Sequence, residues 1–444
     1  MRISSVLLLV LSFAFANATH VFATDIRSDA DTTVLSADVL WEMQRVGAPI
    51  IAPDGRWVVA PVTRYEVEGD ESHTDLWLFA VDGSLERPLT RHGSADGQAV
   101  FSPDGSTLAF VSRREDDDAA QIYLLPIDTP GEARRLTEIP TGVSAPRWVG
   151  EHIYFVSNVW PEMTWEEMAA ELKRRESDHV SAHRWTALPT SSWDRWVDED
   201  RQAHLYRISP SSRQVDPVTL HTEWELPRSS QGLSSYDVAP DESLVAFLAD
   251  SRRDGVDPDI DLFLLRPGDT EASNITPDNE ASDGSPLFSP DGSTLAFVTQ
   301  GIKGFYGDTR RLTLYDVREG NHREVTTDWD RSADGLIWHP DGSALYGAID
   351  DAGTRRIYEI PIDGRAPRTV TGDTDFSSID VAEDGTIVAI NQSFLYPPRV
   401  GLVDPATGAF FRLDTVNDDV LADVELGTYE SVTYQGANGQ DIQM

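Results

Sequence analysis

Two adjacent carboxylates are the best-placed candidates for a binding site in this sequence. Glu166 and Glu167 follow Thr164, and a Thr with a Glu three residues later has the form of a helix capping box. Two neighbouring carboxylates in a partly dry cavity would also make a strong counter-charge for a cation. Acidic side chains favour a helix N-terminus in any case, so the capping rule explains both residues without a ligand. Both interpretations stay open.

No complete catalytic motif accompanies these carboxylates. The sequence has no Gly-x-Ser-x-Gly elbow, no His-Glu-x-x-His zinc motif and no glycine-rich phosphate loop. It has no cysteine, which excludes thiol catalysis and CxxC metal sites. Its 10 histidines, with abundant Ser and Asp, make chance triads inevitable. We therefore assign no catalytic residue to this chain, and we expect no cofactor and no metal.

Two acidic stretches could suggest metal ligands. Asp257, Asp259 and Asp261 alternate as calcium ligands do, but the loop lacks the Gly of an EF-hand. We interpret this stretch instead as a solvated turn that leads into a strand. The run 115–118 (Glu-Asp-Asp-Asp) is likewise predicted as an exposed hairpin tip.

A repeated hairpin unit must position any such site. Residues 101–111 read FSPDGSTLAFV, and residues 288–298 repeat them letter for letter. Pro and Gly shape the turn, Asp can hydrogen-bond its own backbone there, and apolar runs flank it, which predicts a β-hairpin. Weaker copies bring the total to seven, most of them about 45 to 50 residues apart, a period typical of propeller blades. The turns of the weaker copies begin at Pro53, Trp148, Pro240, Pro340 and Glu383.

Two more strands follow each hairpin. A short apolar strand comes first, and an apolar residue followed by Thr then marks the end of the unit. These threonines are Thr90, Thr137, Thr219, Thr276, Thr326 and Thr371, with Asp414 at the degraded seventh place. Four strands in each of seven units predict an all-β fold, a seven-bladed β-propeller of four-stranded antiparallel blades. A β-solenoid is the alternative, but its repeats would be nearer to roughly 20 to 30 residues.

Composition excludes two classes of partner. The formal net charge is −39 over 444 residues. Nucleic-acid phosphates and anionic lipids both require Lys and Arg, so we expect no nucleic-acid binding and no docking on a membrane surface. The simplest interpretation of this charge is that it keeps the protein soluble, and adaptation to a saline habitat is a second interpretation.

The N-terminus has the layout of a secretory signal peptide. A basic start, an apolar core over Ile3–Phe15 and small residues before Ala23 predict a signal peptide over residues 1–23. An uncleaved anchor is the alternative, although the apolar core is short for a spanning helix. The mature chain is expected to be exported to a periplasm or beyond. In residues 24–50, a short helix is predicted over Ala37–Arg45 with Ser36 as its N-cap and Val39, Leu40 and Met43 on one stripe.

The third unit carries a large insertion, residues 159–200. Trp165, Met168 and Leu172 recur at helical spacing after the capping box, which predicts a helix of about three turns. Three tryptophans follow, and they either cover the underside of the insertion or form a wall of a ligand cavity. They are Trp185, Trp193 and Trp196.

Three stretches resemble the N-terminal propeller of secreted serine peptidases of the prolyl oligopeptidase family, closest to the acylaminoacyl-peptidase and dipeptidyl-peptidase branch. They are an N-terminal stretch (35–40 and 46–49), the insertion (157–161, 193–196 and 204–206) and the C-terminal stretch (397–398, 417, 430–434 and 438–439). That branch usually has Arg-His before the Trp-Asp-x-Trp motif of the insertion, where this chain has Ser191-Ser192. A role for that arginine therefore does not carry over.

The resemblance implies a division of labour. The family carries its Ser, Asp and His in an α/β-hydrolase domain, which would begin within residues 424–444 and continue beyond them. The propeller, residues 51–423, would cap that domain and select peptide substrates. Glu166 and Glu167 resemble the paired glutamates with which dipeptidyl peptidases hold the ammonium group of a substrate. A homo-oligomer is compatible with this arrangement.

Two functions follow as expectations. In the first, the chain is the substrate-gating propeller of an exported serine peptidase, and the chain alone hydrolyses nothing. In the second, it is a complete, non-enzymatic propeller that binds a protein partner in the cell envelope, as TolB-like periplasmic propellers do. The helical insertion and an unfinished hairpin at residues 430–444 favour the first.

Overall fold

The computed structural model describes residues 33–444 except 115, 130, 181, 183–184, 186–190, 193, 198–199, 229–231 and 254–257. The signal-peptide prediction for residues 1–23 lies outside the described residues. No helix in the described part of the chain is both long enough and apolar enough to cross a membrane.

The Pro-Asp-Gly turns fold as their residue types dictate. In six of them the Asp carboxylate accepts the backbone N–H two residues further on, over 2.8 to 3.0 Å. Glycine takes the positive φ that closes the turn, for example 70° at both Gly105 and Gly292. In the fourth copy Glu242 occupies the glycine place with φ of 58°, and its carboxylate reaches His152 of the preceding blade over 2.9 Å.

Thirty-five strands and three α-helices make up the described chain. The strands from residue 33 to the end of blade 3 are β1 (Thr33–Val34), β2 (Arg45–Val46), β3 (Ile50–Ile51), β4 (Trp57–Glu66), β5 (Glu71–Ala80), β6 (Glu86–Pro88), β7 (Asp96–Phe101), β8 (Thr107–Ser112), β9 (Gln121–Pro126), β10 (Arg134–Arg135), β11 (Ser144–Val149), β12 (His152–Val159), β13 (Ser191–Ser192), β14 (Arg195–Trp196), β15 (Gln202–Ile208) and β16 (Val215–Pro217). Of these, β1 pairs with β33 (Val424–Glu425), and β13 pairs with β14 outside the blades. The next three blades contain β17 (Tyr236–Val238), β18 (Val245–Asp250), β19 (Ile260–Leu265), β20 (Ser273–Asn274), β21 (Asp283–Phe288), β22 (Thr294–Thr299), β23 (Arg311–Asp316), β24 (His322–Glu324), β25 (Ile337–Trp338), β26 (Ala344–Asp351), β27 (Thr354–Pro361) and β28 (Arg368–Thr369). The last blade and the C-terminal segment contain β29 (Asp375–Val381), β30 (Ile387–Ser393), β31 (Tyr396–Val403), β32 (Phe410–Arg412), β33 (Val424–Glu425), β34 (Thr433–Gln435) and β35 (Asp441–Gln443). The helices are α1 (Ala37–Glu42), α2 (Trp165–Glu176) and α3 (Asp418–Leu421).

These strands form seven antiparallel blades, so the predicted seven-bladed β-propeller is confirmed. Six blades are simple four-stranded meanders, beginning at β7, β11, β17, β21, β25 and β29. In blade 1 the innermost strand is split into β2 and β3, and both pair with β4. The insertion separates β12 from β15 in blade 3 without disturbing their pairing.

A buried side-chain oxygen fixes the end of each blade. The N–H of a residue in the third strand donates to this oxygen, which lies 14 or 15 residues further along the chain, over 2.7 to 3.0 Å. Six acceptors are the threonine hydroxyls expected from the repeat. In blade 7 the acceptor is the carboxylate of Asp414, which bonds the N–H of Val400. The seventh copy therefore keeps the same bond with a different residue.

The core lies between the blades. In β8, Leu108 and Phe110 pack against strands of blade 1, whereas Ala109 and Val111 pack against blade 3. Both faces of the strand are thus covered, as its continuous apolar sequence predicts. The same arrangement repeats around the ring and ends with residues of blades 7 and 1 in one cluster.

Within the described residues, the ring closes without a strand exchanged between blades 1 and 7. Side-chain hydrogen bonds join the two ends instead. Asn417 accepts the N–H of Gln44 over 2.8 Å and donates to the carbonyl of the same residue over 3.0 Å. Asp380 accepts the N–H of Ile51 over 2.8 Å. The short strands β1 and β33 also pair in parallel at this seam.

The N-terminal helix is shorter than the sequence predicts. Ser36 caps α1 through the N–H of Val39, as expected, but the helix ends at Glu42 instead of Arg45. Arg45 and the next residue pair with β4, and this pairing stops the helix. The predicted stripe is only partly buried, because Met43 is in the core whereas Leu40 is 43% exposed.

Candidate functional site

One face of the propeller carries all seven connections between the second and third strands of the blades. We call it the loop face, and its connections are residues 67–70, 113–120, 160–201, 251–259, 300–310, 352–353 and 394–395. Because each blade is a meander in the same orientation, the links from one blade to the next lie on this face too. Both ends of the described chain also meet it, since Trp41 contacts Tyr65 and Tyr429 contacts Phe394.

Large apolar side chains are exposed almost exclusively on this face. Among the described residues, the exposed ones other than Tyr65 and Phe411 belong to its loops and links, to the insertion or to the two terminal segments, and Tyr65 lies near the end of β4 that leads into loop 67–70. Examples are Trp41, Trp196, Phe305, Tyr306 and Phe394, which are 47% to 86% exposed. Such a concentration of exposed apolar side chains is typical of a face that another protein surface covers.

The insertion helix forms as predicted. Thr164 caps α2, and both halves of the capping box are present. Met168 is buried, and Trp165 and Leu172 pack beside it against the core of blade 3. This packing holds the N-terminus of α2 over the link between blades 2 and 3.

The two candidate carboxylates have different surroundings. The carboxylate of Glu167 accepts the N–H of Thr164 over 2.8 Å and its hydroxyl over 3.0 Å. These hydrogen bonds hold the pKa of Glu167 below its ordinary value. Glu166 instead lines a cavity of about 320 Å³ between α2 and blade 2. The capping interpretation of Glu167 is therefore visible in the geometry, and a ligand role for the pair stays a prediction.

The cavity beside Glu166 is predominantly acidic. Asp116, Asp118 and Glu138 line it together with Glu166. Arg135 also lines it, but its guanidinium pairs with Glu138 over 2.9 Å and with Asp117 over 2.8 Å. The local charge therefore suits a small cationic group.

Asp117 organises the floor of this cavity. In the predicted exposed tip at residues 115–118, Asp116 and Asp118 are exposed, residue 115 lies outside the described residues, and Asp117 alone departs from the prediction. Its carboxylate is buried and accepts the Tyr123 hydroxyl over 2.6 Å and the N–H of Arg114 over 3.0 Å. Burial opposes ionisation, but bonds from Tyr123 and Arg135 lower the pKa of Asp117 overall. Burial and this carboxylate raise the pKa of Tyr123 to about 12. No pattern in the sequence predicts this role, because a run of acidic residues between two strands is usually solvated.

The other acidic stretch also differs from its prediction. Asp257 lies outside the described residues. Asp261 is buried within β19, and Asp259 pairs with Arg252 over 3.1 Å, so this is not a fully solvated turn. Asp261 accepts a bond from Asn274 over 2.6 Å.

Two of the three tryptophans that follow α2 in the insertion stack on each other. The rings of Trp185 and Trp196 lie 4.6 Å apart between centroids, and Trp185 donates to the carbonyl of Val197 over 3.0 Å. Trp196 is 70% exposed, so the pair does not simply cover the underside of the insertion. Trp193 lies outside the described residues.

A second, larger cavity of about 790 Å³ opens on the loop face between blades 6 and 7. Phe394 and Tyr429 form an aromatic wall, with ring centroids 5.3 Å apart. On the other side Asp351 pairs with Arg331 over 2.8 Å and accepts the hydroxyl of Tyr358 over 2.8 Å. Tyr429 belongs to the segment that follows blade 7, so this cavity lies where that segment meets the propeller.

Comparisons with known proteins find sequence similarity to peptidases that are longer than this chain. No family model matches the chain. It is 23% identical over 401 residues to dipeptidyl-peptidase 5 of Porphyromonas gingivalis, which covers 87% of this chain and 56% of the relative. The chain thus spans little more than half the length of the curated relatives that it matches along most of its own length.

Solved structures show the same fold. An acylaminoacyl peptidase in complex with a peptide chloromethyl ketone superposes with a TM-score of 0.71 at 14% identity, over 93% of this chain and 59% of its own. The β-propeller domain of the Trilobed protease from Pyrococcus furiosus gives a TM-score of 0.60 at 15% identity, over 86% of this chain and 98% of its own. The relatives in sequence are dipeptidyl peptidases, and the neighbours in structure include peptidase propellers.

Proposed function

We propose that this chain is the substrate-gating propeller of an exported serine peptidase with dipeptidyl-peptidase or acylaminoacyl-peptidase activity. Its catalytic α/β-hydrolase domain would begin within residues 424–444 and dock on the loop face. The observation that carries this proposal is the concentration of exposed apolar side chains on the one face that both chain ends reach. The greater length of the relatives supports it.

The catalytic chemistry belongs to the docked domain in this proposal. A serine would attack the peptide carbonyl with a histidine as general base, while backbone amides stabilise the oxyanion. The residues of this chain would bind and select the substrate. A closed ring over the active site would admit short or unfolded peptides and exclude folded proteins.

The acidic cavity beside α2 supports a role in binding the amino end of the peptide. Glu166 lines this cavity, and the cations described there are already paired with carboxylates. A peptide ammonium group could therefore bind to Glu166 through a charge-assisted hydrogen bond. Glu167 would contribute by its charge and by holding the helix N-terminus in place.

The test uses the protein extended beyond residue 444 to its natural stop codon. Glu166→Gln should raise KM about tenfold for dipeptide substrates with a free amino group, because a hydrogen bond to a charged group contributes roughly 1.5–3 kcal/mol. The same variant should leave KM unchanged for substrates whose amino group is acylated. Glu176→Gln, at the other end of the same helix, is the matched control and should behave as the wild type.

Three results would contradict the proposal. Equal effects of Glu166→Gln on free and acylated substrates would remove the role in amino-end selection. A natural stop codon directly after Met444 would remove the peptidase itself and leave a protein-binding propeller as the function. Peptide hydrolysis by the isolated chain that survives a serine-directed inhibitor would also count against it.

A further inference from the structure

We propose that the long hairpin of blade 1 binds a divalent transition-metal ion through His73, Glu66 and Glu71. The hairpin consists of β4 and β5, which pair over their whole length. Glu66 lies directly opposite Glu71, and His73 follows two residues later on the same face of the hairpin. One ligand atom from each of the three side chains lies within 4.8 Å of the other two.

Apart from His73 itself, no basic side chain among the described residues forms an ion pair with Glu66 or Glu71. Carboxylates directly opposite each other on paired strands repel, which destabilises the hairpin unless a cation lies between them. The basic side chain opposite His73 is Arg64, and its guanidinium pairs with the buried carboxylate of Asp75 over 2.7 Å. The positive charge of Arg64 is therefore paired with Asp75 and not with the two glutamates.

The imidazole of His73 also lacks a firm partner. Its Nε2 atom lies 3.7 Å from the carboxylate of Glu71, which is too long for a hydrogen bond. Its Nδ1 atom is buried and has no hydrogen-bond partner among the described residues. A ring with one nitrogen facing two carboxylates is suited to coordinate an ion shared with them.

The ligand set determines which ion would bind. One imidazole nitrogen with carboxylate oxygens suits Zn²⁺ and related transition metals, whereas Ca²⁺ and Mg²⁺ prefer oxygen ligands throughout. Three protein ligands leave at least one coordination position for water or for an outside group. Zn²⁺ is therefore the ion to test first.

The site lies on a rigid part of the fold. The hydroxyls of Thr63 and Thr74 hydrogen-bond across the hairpin over 2.8 Å, and this pair of residues is next to the pair that contains His73. Ligands held by paired strands keep their relative positions better than ligands on a loop. The tip lies on the loop face, where Tyr65 contacts Trp41 of α1. A bound ion would stiffen this corner of the face, and the inference does not depend on the proposed peptidase activity.

Calorimetric titration of the chelator-treated chain with Zn²⁺ tests the site. We expect one saturable site per chain that is tighter than the weak binding of Zn²⁺ to the acidic surface. His73→Ala and Glu71→Gln should each weaken this site at least about tenfold, since each removes a ligand. Glu68→Gln, which removes a carboxylate from the same tip but not from the trio, should bind as the wild type.

Co²⁺ substitution provides a spectroscopic control. The bound ion should give visible absorption that changes in His73→Ala but not in Glu68→Gln, which identifies the imidazole as a ligand. The inference is wrong if no saturable site is found, or if His73→Ala binds Zn²⁺ as tightly as the wild type. It is also wrong if Glu68→Gln weakens binding as much as His73→Ala, because binding would then be a property of the acidic surface only.

Discussion

Single buried oxygen atoms hold the third and fourth strands of each blade together. A threonine hydroxyl accepts the strand N–H in six blades, and Asp414 does so in the seventh. Loss of such an acceptor leaves a buried N–H unpaired, which costs about 1–3 kcal/mol. The blade requires an acceptor atom at this position and not a particular residue type, which explains why Asp can stand where the repeat has Thr.

Asp283 is a buried carboxylate whose protonation couples pH to stability. It is 4% exposed, and Asn279 donates to one of its oxygens over 3.0 Å. Burial raises the pKa of Asp283 to about 6. The unfolded chain has the ordinary, lower pKa, so between these two values the folded state binds more protons. Stability from this group is therefore present at low pH and is lost as pH rises through about 6.

We predict that Asp283→Asn removes this pH dependence. The free energy of unfolding of the wild type, relative to that of Asp283→Asn, should fall between pH 4 and pH 7 by up to roughly 3 kcal/mol. Urea denaturation at several pH values measures it. Asp291→Asn should show the opposite sign, because hydrogen bonds from Ser289 and Ser293 lower the pKa of Asp291. Parallel pH profiles for wild type and Asp283→Asn would contradict the prediction.

At the scale of elements, local rules account for the turns and for the insertion helix. The start of α2 follows from Thr164 and Glu167, and the Pro-Asp-Gly turns follow from the φ that glycine permits. The end of α1 does not follow from its own sequence, because pairing of Arg45 with β4 sets it. The burial of Asp117 was also not predictable from its neighbours in the sequence, because its partners Tyr123 and Arg135 lie on strands outside its own loop.

We predict that Thr164→Ala destabilises α2 locally. The hydroxyl of Thr164 accepts the N–H of Glu167, and loss of an N-cap costs about 1 kcal/mol. Amide exchange in residues 165–168 should become faster by about fivefold, while exchange in β12 and β15 stays unchanged. Thr164→Ser is the control and should retain most of the protection. Unchanged exchange in Thr164→Ala would show that packing of Met168 alone holds the helix.

At the scale of the whole molecule, the number and order of the blades were predictable because each blade corresponds to one copy of the sequence repeat. Each unit carries its own turn, apolar strands and terminal acceptor, so seven copies specify seven blades. Ring closure was not predictable, because it depends on contacts between residues more than 300 positions apart, such as Asn417 with Gln44. The acidic cavity beside Glu166 was not predictable from the sequence either, because blade 2 supplies most of its wall.

We predict that Asn417→Ala weakens the seam between blades 7 and 1. Asn417 is buried and makes two backbone hydrogen bonds to Gln44, so its loss should lower the free energy of unfolding by about 2–3 kcal/mol. Amide hydrogen exchange should become faster in β4 and β31, which flank the seam, by a larger factor than in β18. Asn321→Ala, at an exposed turn, is the control. Uniform faster exchange in all blades would show that the seam is not a separate weak point.

The pairing of β1 with β33 brings residues 33 and 424 side by side at the seam. A short flexible peptide could therefore join these two positions without stretching either strand. The chain could then be opened instead at an exposed turn between two other blades, for example near Asp328, which lies between blades 5 and 6. Such a circular permutant should form the same ring, because each meander would remain whole and only the position of the break would change.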